Sequence, residues 1–399
     1  MQYRTLGRTQ LRVSEIGLGS VGFEKVIDHR RTQDIIDCAP ANGVNCVSWQ
    51  EHTRLPLSTD AFIDIYNAHP QVRTNIGDAL HRHPRESYIL QGRFGNIFDR
   101  TGQYHRTRLV DEAMWSYEDF LRRMHTDYVD IELLHNCDEA DDFASIVDGG
   151  LLARAQELKK SGAVGYLGIS THNPAIARKA VELGCLDVIL LSLNPAYDMM
   201  APGADQSAVL QGIRQGGYTG ISPARAALYN LCAANGVAIT VMKGFAAGLL
   251  LRENESPFGR AMTSTQCIRY CLDRPAVASV MAGAVTVEEL RAALRFCDPA
   301  ENRDYSSFLA SVPSASFRGH CMYCGHCAPC TSVIDVAAVN RCVDLAQVQS
   351  CVPPTVREHY AQLAHHAEDC VECGACMTRC PFGVDVIKKM RDAKEIFGY

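Results

Sequence analysis

The chain has 399 residues, of which 47% are apolar and 21% charged, and its net charge is −6. Two or three domains are expected at that length, with the composition of a soluble globular protein and no block of like charges to attract nucleic acid. The start, MQYRTLGRTQLRVSEIG, lacks an apolar run behind a basic end, and no stretch approaches about 18 uninterrupted apolar residues, so a cytoplasmic protein with no membrane partner is expected. From the N-terminus, short apolar runs predict strands at 13–20, 45–49, 87–94, 128–136, 164–171, 188–194, 237–244 and 277–283. Amphipathic stretches lie between them. DEAMWSYEDFLRRM (111–124), ARAQELKKSG, PAIARKAVELG and PARAALYNLCAANG space apolar residues at three to four, and several end in glycine. Thr286 with Glu289 marks another helix start.

Eight strand–helix units predict an α/β protein with a parallel sheet closed into a (β/α)8 TIM barrel over residues 1–310. The strands are nearly continuous apolar runs, as expected when both faces are buried. Chemistry in such a barrel sits at the C-terminal ends of the strands. That rule selects Ser48, Arg93, His135, Ser170, Asn194, Lys243 and Gly283. Cys137 and His172 lie beside two of these. Cys137 is a small buried side chain or a nucleophile, and His172 a helix-start residue or a ligand.

Cysteine usage separates the remaining segment, 311–399. Eight of the 18 cysteines fall in two short runs. The second, Cys370, Cys373, Cys376 and Cys380 followed by Pro381, has the C-x2-C-x2-C-x3-C-P spacing of bacterial ferredoxins. The first is Cys321, Cys324, Cys327 and Cys330, with Thr331 where proline is usual. In that pattern the fourth cysteine reaches the other cluster. Cys321, Cys324 and Cys327 then join Cys380 on one 4Fe–4S cluster, and Cys370, Cys373 and Cys376 join Cys330 on a second. Paired C-x2-C is also zinc spacing, but three cysteines at consecutive two-residue gaps with a distal fourth suit a cubane better. The intervening 332–369 reads as helical, with Cys342 and Cys351 as core residues. The expectation is a small α-rich ferredoxin-like domain with two 4Fe–4S clusters.

The chain resembles the aldo-keto reductases, in the branch with a C-terminal ferredoxin-like extension. The matching stretches are MQYRTLGRTQLRVSEIGLGS, TDYVDIELLH, VGYLGISTHN, VMKGFAAGLL and VASVMAGAVTVEEL, followed by both cysteine runs. The resemblance implies a barrel that transfers hydride between NADPH and a carbonyl. It also implies a tyrosine proton donor tuned by lysine and aspartate, with a histidine orienting the carbonyl. Here Ser48 holds the aspartate position, Thr53 the tyrosine position and Arg93 the lysine position; His135 retains the histidine. Tyr66 is the candidate replacement phenol, since IYNAHPQ and NIGDAL echo the motif downstream of the tyrosine. Of the nicotinamide positions Ser170 and Asn194 remain, while Thr171 and Leu190 replace an asparagine and a glutamine. Val285 and Ala292 replace the adenosine-phosphate ligands. Gly244 and Gly248 survive on the phosphate side, beside Lys243.

Arginine keeps the charge of lysine but not its titratable amine. Arg93 and His135 therefore form a cationic floor suited to an anion or a developing oxyanion. The function expected is an iron–sulfur oxidoreductase passing electrons to a small anionic or carbonyl-bearing substrate, with a ferredoxin- or flavodoxin-type donor and without NADPH. An NADPH-dependent carbonyl reductase with accessory clusters and a non-catalytic electron carrier or redox sensor are the alternatives.

Overall fold

A computed structural model describes residues 1–19, 29–48, 71–98, 104–199, 220–312, 319–347, 352 and 354–399. Eight strands form its centre: β1 Ile16–Gly19, β2 Cys46–Ser48, β3 Ile89–Phe94, β4 Val129–Leu134, β5 Val164–Thr171, β6 Val188–Ser192, β7 Ala238–Met242 and β8 Val277–Gly283. Each pairs in parallel with the next, and β8 pairs with β1, so the sheet closes into a barrel. All eight fall within the runs expected from sequence. The helices Val110–Arg123, Leu151–Ser161, Pro174–Glu182, Pro223–Ala234 and Val287–Leu294 also lie where periodicity put them. Their ends follow local chemistry. Asn173 accepts a hydrogen bond from Ala175 N ahead of Pro174, Thr286 accepts from Glu289 N, and Gly162 closes a helix at φ 82°.

Alternation along each strand divides the side chains between lumen and outer layer. In β4, Ile131 and Leu133 join the apolar cluster with Cys46, Ile89, Val188, Leu190, Ala238 and Met281. Glu132 faces the other way. An antiparallel hairpin, Tyr3–Thr5 with Arg12–Ser14, precedes the barrel and adds Leu6 and Val13 to that cluster. Its turn seats tightly, with Arg8 N donating to Gly236 O at 2.6 Å. At Gly7, φ is +55° and a Cβ would lie 2.3 Å from Gly236 O, so only glycine fits.

The chain divides into two units. Met1–Ser192, Asn235–Gly244 and Ala276–Glu301 form the first, which holds all eight strands. Leu193–Ala234, Phe245–Pro275 and Asn302–Tyr399 form the second, which holds both cysteine runs. Between the runs lie the helices Val336–Gln347 and Pro354–Ala361, and Val386–Phe397 follows the second run. Cys342 is buried in the first of these helices, as expected of a core residue; Cys351 lies outside the described residues. Among the described residues no helix is long and apolar enough to cross a membrane.

Gly7→Ala forces a Cβ against the Gly236 carbonyl and holds alanine at positive φ. We expect a loss of about 2 kcal/mol or more in urea unfolding; a variant with unchanged midpoint contradicts the close seating of the hairpin.

Candidate functional site

The C-terminal end of the lumen is polar where the opposite end is apolar. Ser48 ends β2, Gln91 and Arg93 lie two apart on the same face of β3, and Thr240 projects from β7. Ser48 Oγ accepts from Gln91 Nε2 at 2.9 Å and from Arg93 Nη2 at 3.3 Å. Gln91 Oε1 accepts from Thr240 Oγ1 at 3.1 Å. Ser48, Gln91 and Thr240 are buried, so these bonds replace water that the groups have lost. Arg93 is half-buried.

Glu132, on the outer face of β4 beside Gly92, is the nearby carboxyl. Burial pushes it well above the usual carboxylate range and Arg93 only partly opposes this. Its Oε2 has no hydrogen-bond partner among the described residues. Burial thus favours the neutral form of Glu132, and the Arg93 charge opposes it.

His135 follows β4 directly and is buried. Its main-chain N donates to Phe94 O at 2.8 Å, and its carbonyl accepts from Arg108 Nη2 at 3.0 Å. Asp142 holds Arg108 in turn, at 2.7 Å. On the ring, Nδ1 lies 3.3 Å from Ser170 Oγ, which also accepts from Asn136 N at 3.3 Å. The serine hydroxyl can donate to Nδ1 or accept from it, so this contact orients the ring in either tautomer. The structure thus brings Ser48 together with Arg93, and Ser170 with His135. Tyr66 and Thr53 lie outside the described residues.

A second polar group occupies the loops after β4 and β5. Asp138 accepts from His172 N at 2.6 Å, His172 Nδ1 at 2.9 Å and Thr171 Oγ1 at 3.0 Å. Burial alone raises its pKa, but the bonds from His172 and Thr171 outweigh burial and bring it down to about 2. Thr171 and His172 are thereby committed to Asp138. Lys243, after β7 with φ 59°, is brought by burial down to about 8, while Asp138 acts in the opposite direction. Burial and Asp142 push the Cys137 thiol up to about 12, so it stays protonated at neutral pH and is no nucleophile. Gln91, Thr240, Glu132 and Asp138 escaped the sequence reading. Gln91 was available from the two-residue alternation that selects Arg93; the reach of Asp138 to His172 is visible only in the folded loops.

In the second unit, Asn194 Oδ1 accepts from Ala196 N and Tyr197 N and caps the short helix Pro195–Asp198. Gly248 sits at φ 86° in the turn Ala246–Leu251. The cysteines meet across the two runs. Cys330, from the first, shares the lining of one cavity with Cys370, Cys373 and Cys376, against Ile334, Val386 and Met390. Arg379 Nη2 ties the runs, donating to Cys327 O and Pro329 O at 2.7 Å each. Cys321 Sγ accepts from Asn340 Nδ2 at 3.4 Å. Cys380 lies outside the cavity lining. The described cysteines are all free thiols. Among the described residues no three His, Cys, Asp or Glu side chains form a single-ion site. A cubane spreads its four thiolates over four irons, so its ligands need not converge on one point.

The profile of the Aldo/keto reductase family matches residues 15–306, the stretch containing the whole barrel. The chain belongs to this family. The uncharacterized oxidoreductase YqkF of Bacillus subtilis (strain 168) is 26% identical over 306 residues, 73% of this chain and 89% of the relative. Among solved structures, the holo form of aldo-keto reductase AKR11C1 from Bacillus halodurans superposes with a TM-score of 0.56 at 23% identity. The match covers 76% of this chain and 92% of that one. An aldo-keto reductase barrel is thus the scaffold that carries Arg93 and His135. The family match ends ahead of the first cysteine run.

Lys243 yields a measurable titration. Pulse acetylation with acetic anhydride, read by mass spectrometry of its peptide, is expected to rise with a midpoint near pH 8. In Asp138→Asn the midpoint moves lower still, because a negative charge favouring the ammonium is gone. An ordinary lysine profile, with a midpoint at about 10, contradicts the burial of the amine.

Proposed function

We propose that this aldo-keto reductase family member is an iron–sulfur oxidoreductase acting on a small anionic, carbonyl-bearing molecule held at Arg93 and His135. The observation that carries the reading is the cavity that gathers Cys330 with Cys370, Cys373 and Cys376. Four thiols from two separated runs line one aliphatic pocket, the donor set a 4Fe–4S cluster requires. Near the first set, the buried Asn340 Nδ2 donates to Cys321 Sγ, and nitrogens of Arg274 and Arg341 have no partners among the described residues, as suits an anionic neighbour. Cys370, Cys373, Cys376 and Cys330 would hold one cluster, and Cys321, Cys324, Cys327 and Cys380 the other. When bound, such clusters supply one-electron transfer.

The barrel residues supply binding and orientation. Ser48 fixes the Arg93 guanidinium, and Gln91 with Thr240 holds Ser48, so the cation is preorganised for a carboxylate. His135, when Nε2 carries a proton, donates to a carbonyl or carboxylate oxygen. Lys243, near Asp138 and with its amine close to half-protonated near pH 8, holds or gives a proton at the loops after β4 and β5.

Family membership favours a second reading, an NADPH-dependent carbonyl reductase. The polar groups retained from a nicotinamide site argue against it: Ser170 is engaged with His135, and the Asn194 oxygen is taken by two main-chain amides. Anaerobic titration of the cluster-replete protein, followed by absorbance and electron paramagnetic resonance, separates the two. We expect dithionite to reduce two 4Fe–4S centres while NADPH neither binds nor reduces them. Tight NADPH binding, with or without cluster reduction, contradicts the proposal.

Glyoxylate, with a carboxylate and a carbonyl, is a suitable probe of the anion site. Its affinity by calorimetry is expected to fall about tenfold or more in Arg93→Gln, the scale of a lost charge-assisted hydrogen bond. Equal binding by the two proteins removes Arg93 from the site.

A further inference from the structure

We propose that Arg274, Arg341 and Asn340 form a positively polarised wall that stabilises the reduced state of the cluster at the first cysteine run, and of that cluster alone. This rests on the two-cluster reading above. Arg274 follows the helix Ser264–Leu272 and is only 3% exposed. Its Nη2 donates to the carbonyl of Met322, next to Cys321, at 3.3 Å and to Tyr305 OH at 3.1 Å. The guanidinium stacks 4.4 Å from the Tyr270 ring centroid. Its Nε and Nη1 have no hydrogen-bond partner among the described residues. Asp198 and Asp273 act on it electrostatically, but among the described residues neither forms an ion pair with it.

Arg341, on the helix Val336–Gln347, lies 5.4 Å from the Tyr323 ring, between Cys321 and Cys324 in sequence, and its Nε is likewise unpartnered among the described residues. It is close enough to Arg274 for the two cations to disfavour each other's charge. Asn340, 1% exposed, aims Nδ2 at Cys321 Sγ. Asp335 favours the charge of Arg341, and Asp344, which accepts from Tyr323 OH, acts on Cys321; a further anion beside the two guanidiniums lowers the cost of burying them together. A cubane held by four thiolates is such an anion. Buried positive charge and hydrogen bonds to its sulfurs favour the state with one more electron, which raises the potential.

The other cavity is built differently. Ile334, Val386 and Met390 line it, Cys373 is exposed, and its cation, Arg379, donates to main-chain carbonyls while its charge also favours the Cys373 thiolate. Among the described residues its one side-chain hydrogen bond to sulfur comes from Thr331 Oγ1, 3.4 Å from Cys373 Sγ. With sulfur as thiolate, the hydroxyl must be the donor. The residue standing where proline is usual therefore addresses the second cluster, as Asn340 addresses the first.

The test is an anaerobic dithionite titration of the reconstituted full chain, with both potentials read by electron paramagnetic resonance. In Arg274→Gln, Arg341→Gln and Asn340→Leu the same single potential is expected to become more negative at unchanged iron content. In Thr331→Val the other one is expected to fall. If Arg274→Gln fails to fold, Arg341→Gln and Asn340→Leu carry the test. Unmoved potentials, or equal shifts of both, in iron-replete variants overturn the proposal. A wild-type chain that takes up no iron instead overturns the cluster reading beneath it, before any variant is made.

Discussion

Closure of the parallel sheet is the constraint from which the rest of the first unit follows. Joining β8 to β1 pairs the main-chain groups of every strand and leaves no edge. It also creates a narrow lumen that must be filled. At the N-terminal end the filling is apolar, completed by Leu6 and Val13 from the hairpin. Polar side chains gather at the other end, where Ser48 bonds with Gln91 and Gln91 with Thr240, and, separately, His135 with Ser170, all buried from water.

Two carboxyl groups near the barrel's C-terminal end show how local donors decide charge. Glu132 is buried beside a glycine with an oxygen that nothing bonds among the described residues, and burial pushes it well above the usual carboxylate range. Asp138 is also largely buried, yet bonds from His172 and Thr171 hold it ionised. The difference lies in hydrogen bonds to the charged form, since both feel desolvation. Within one barrel, burial thus favours the neutral form of one acid while local donors favour the charged form of the other.

Much of the scaffold was legible in the sequence because barrel strands are buried on both faces. Runs such as VDIELL and VILLS cannot hide among loops, and the ends of those runs delivered Arg93, His135 and Ser170. The partners of these residues were harder to see. Gln91 lies two residues before Arg93, where period-two alternation already pointed, whereas Thr240 meets it from a strand 149 residues away. The Asp138–His172 pair depends on how two loops turn. Cysteine spacing named both runs, and the meeting of Cys330 with the Cys370 run is a tertiary event that spacing alone implies only through the ferredoxin pattern. Asn194 looked like a ligand position, yet its oxygen serves as a helix cap.

The central claim is that a family barrel carries two cubanes bound across the two cysteine runs. Iron and acid-labile sulfide per chain, measured on protein purified without air and compared with Cys330→Ala, address it most directly. About eight irons with matching sulfide in the wild type, and loss of one cluster in the variant with the barrel still folded, are the result expected. Zinc in place of iron, or an iron content indifferent to Cys330, would contradict the account.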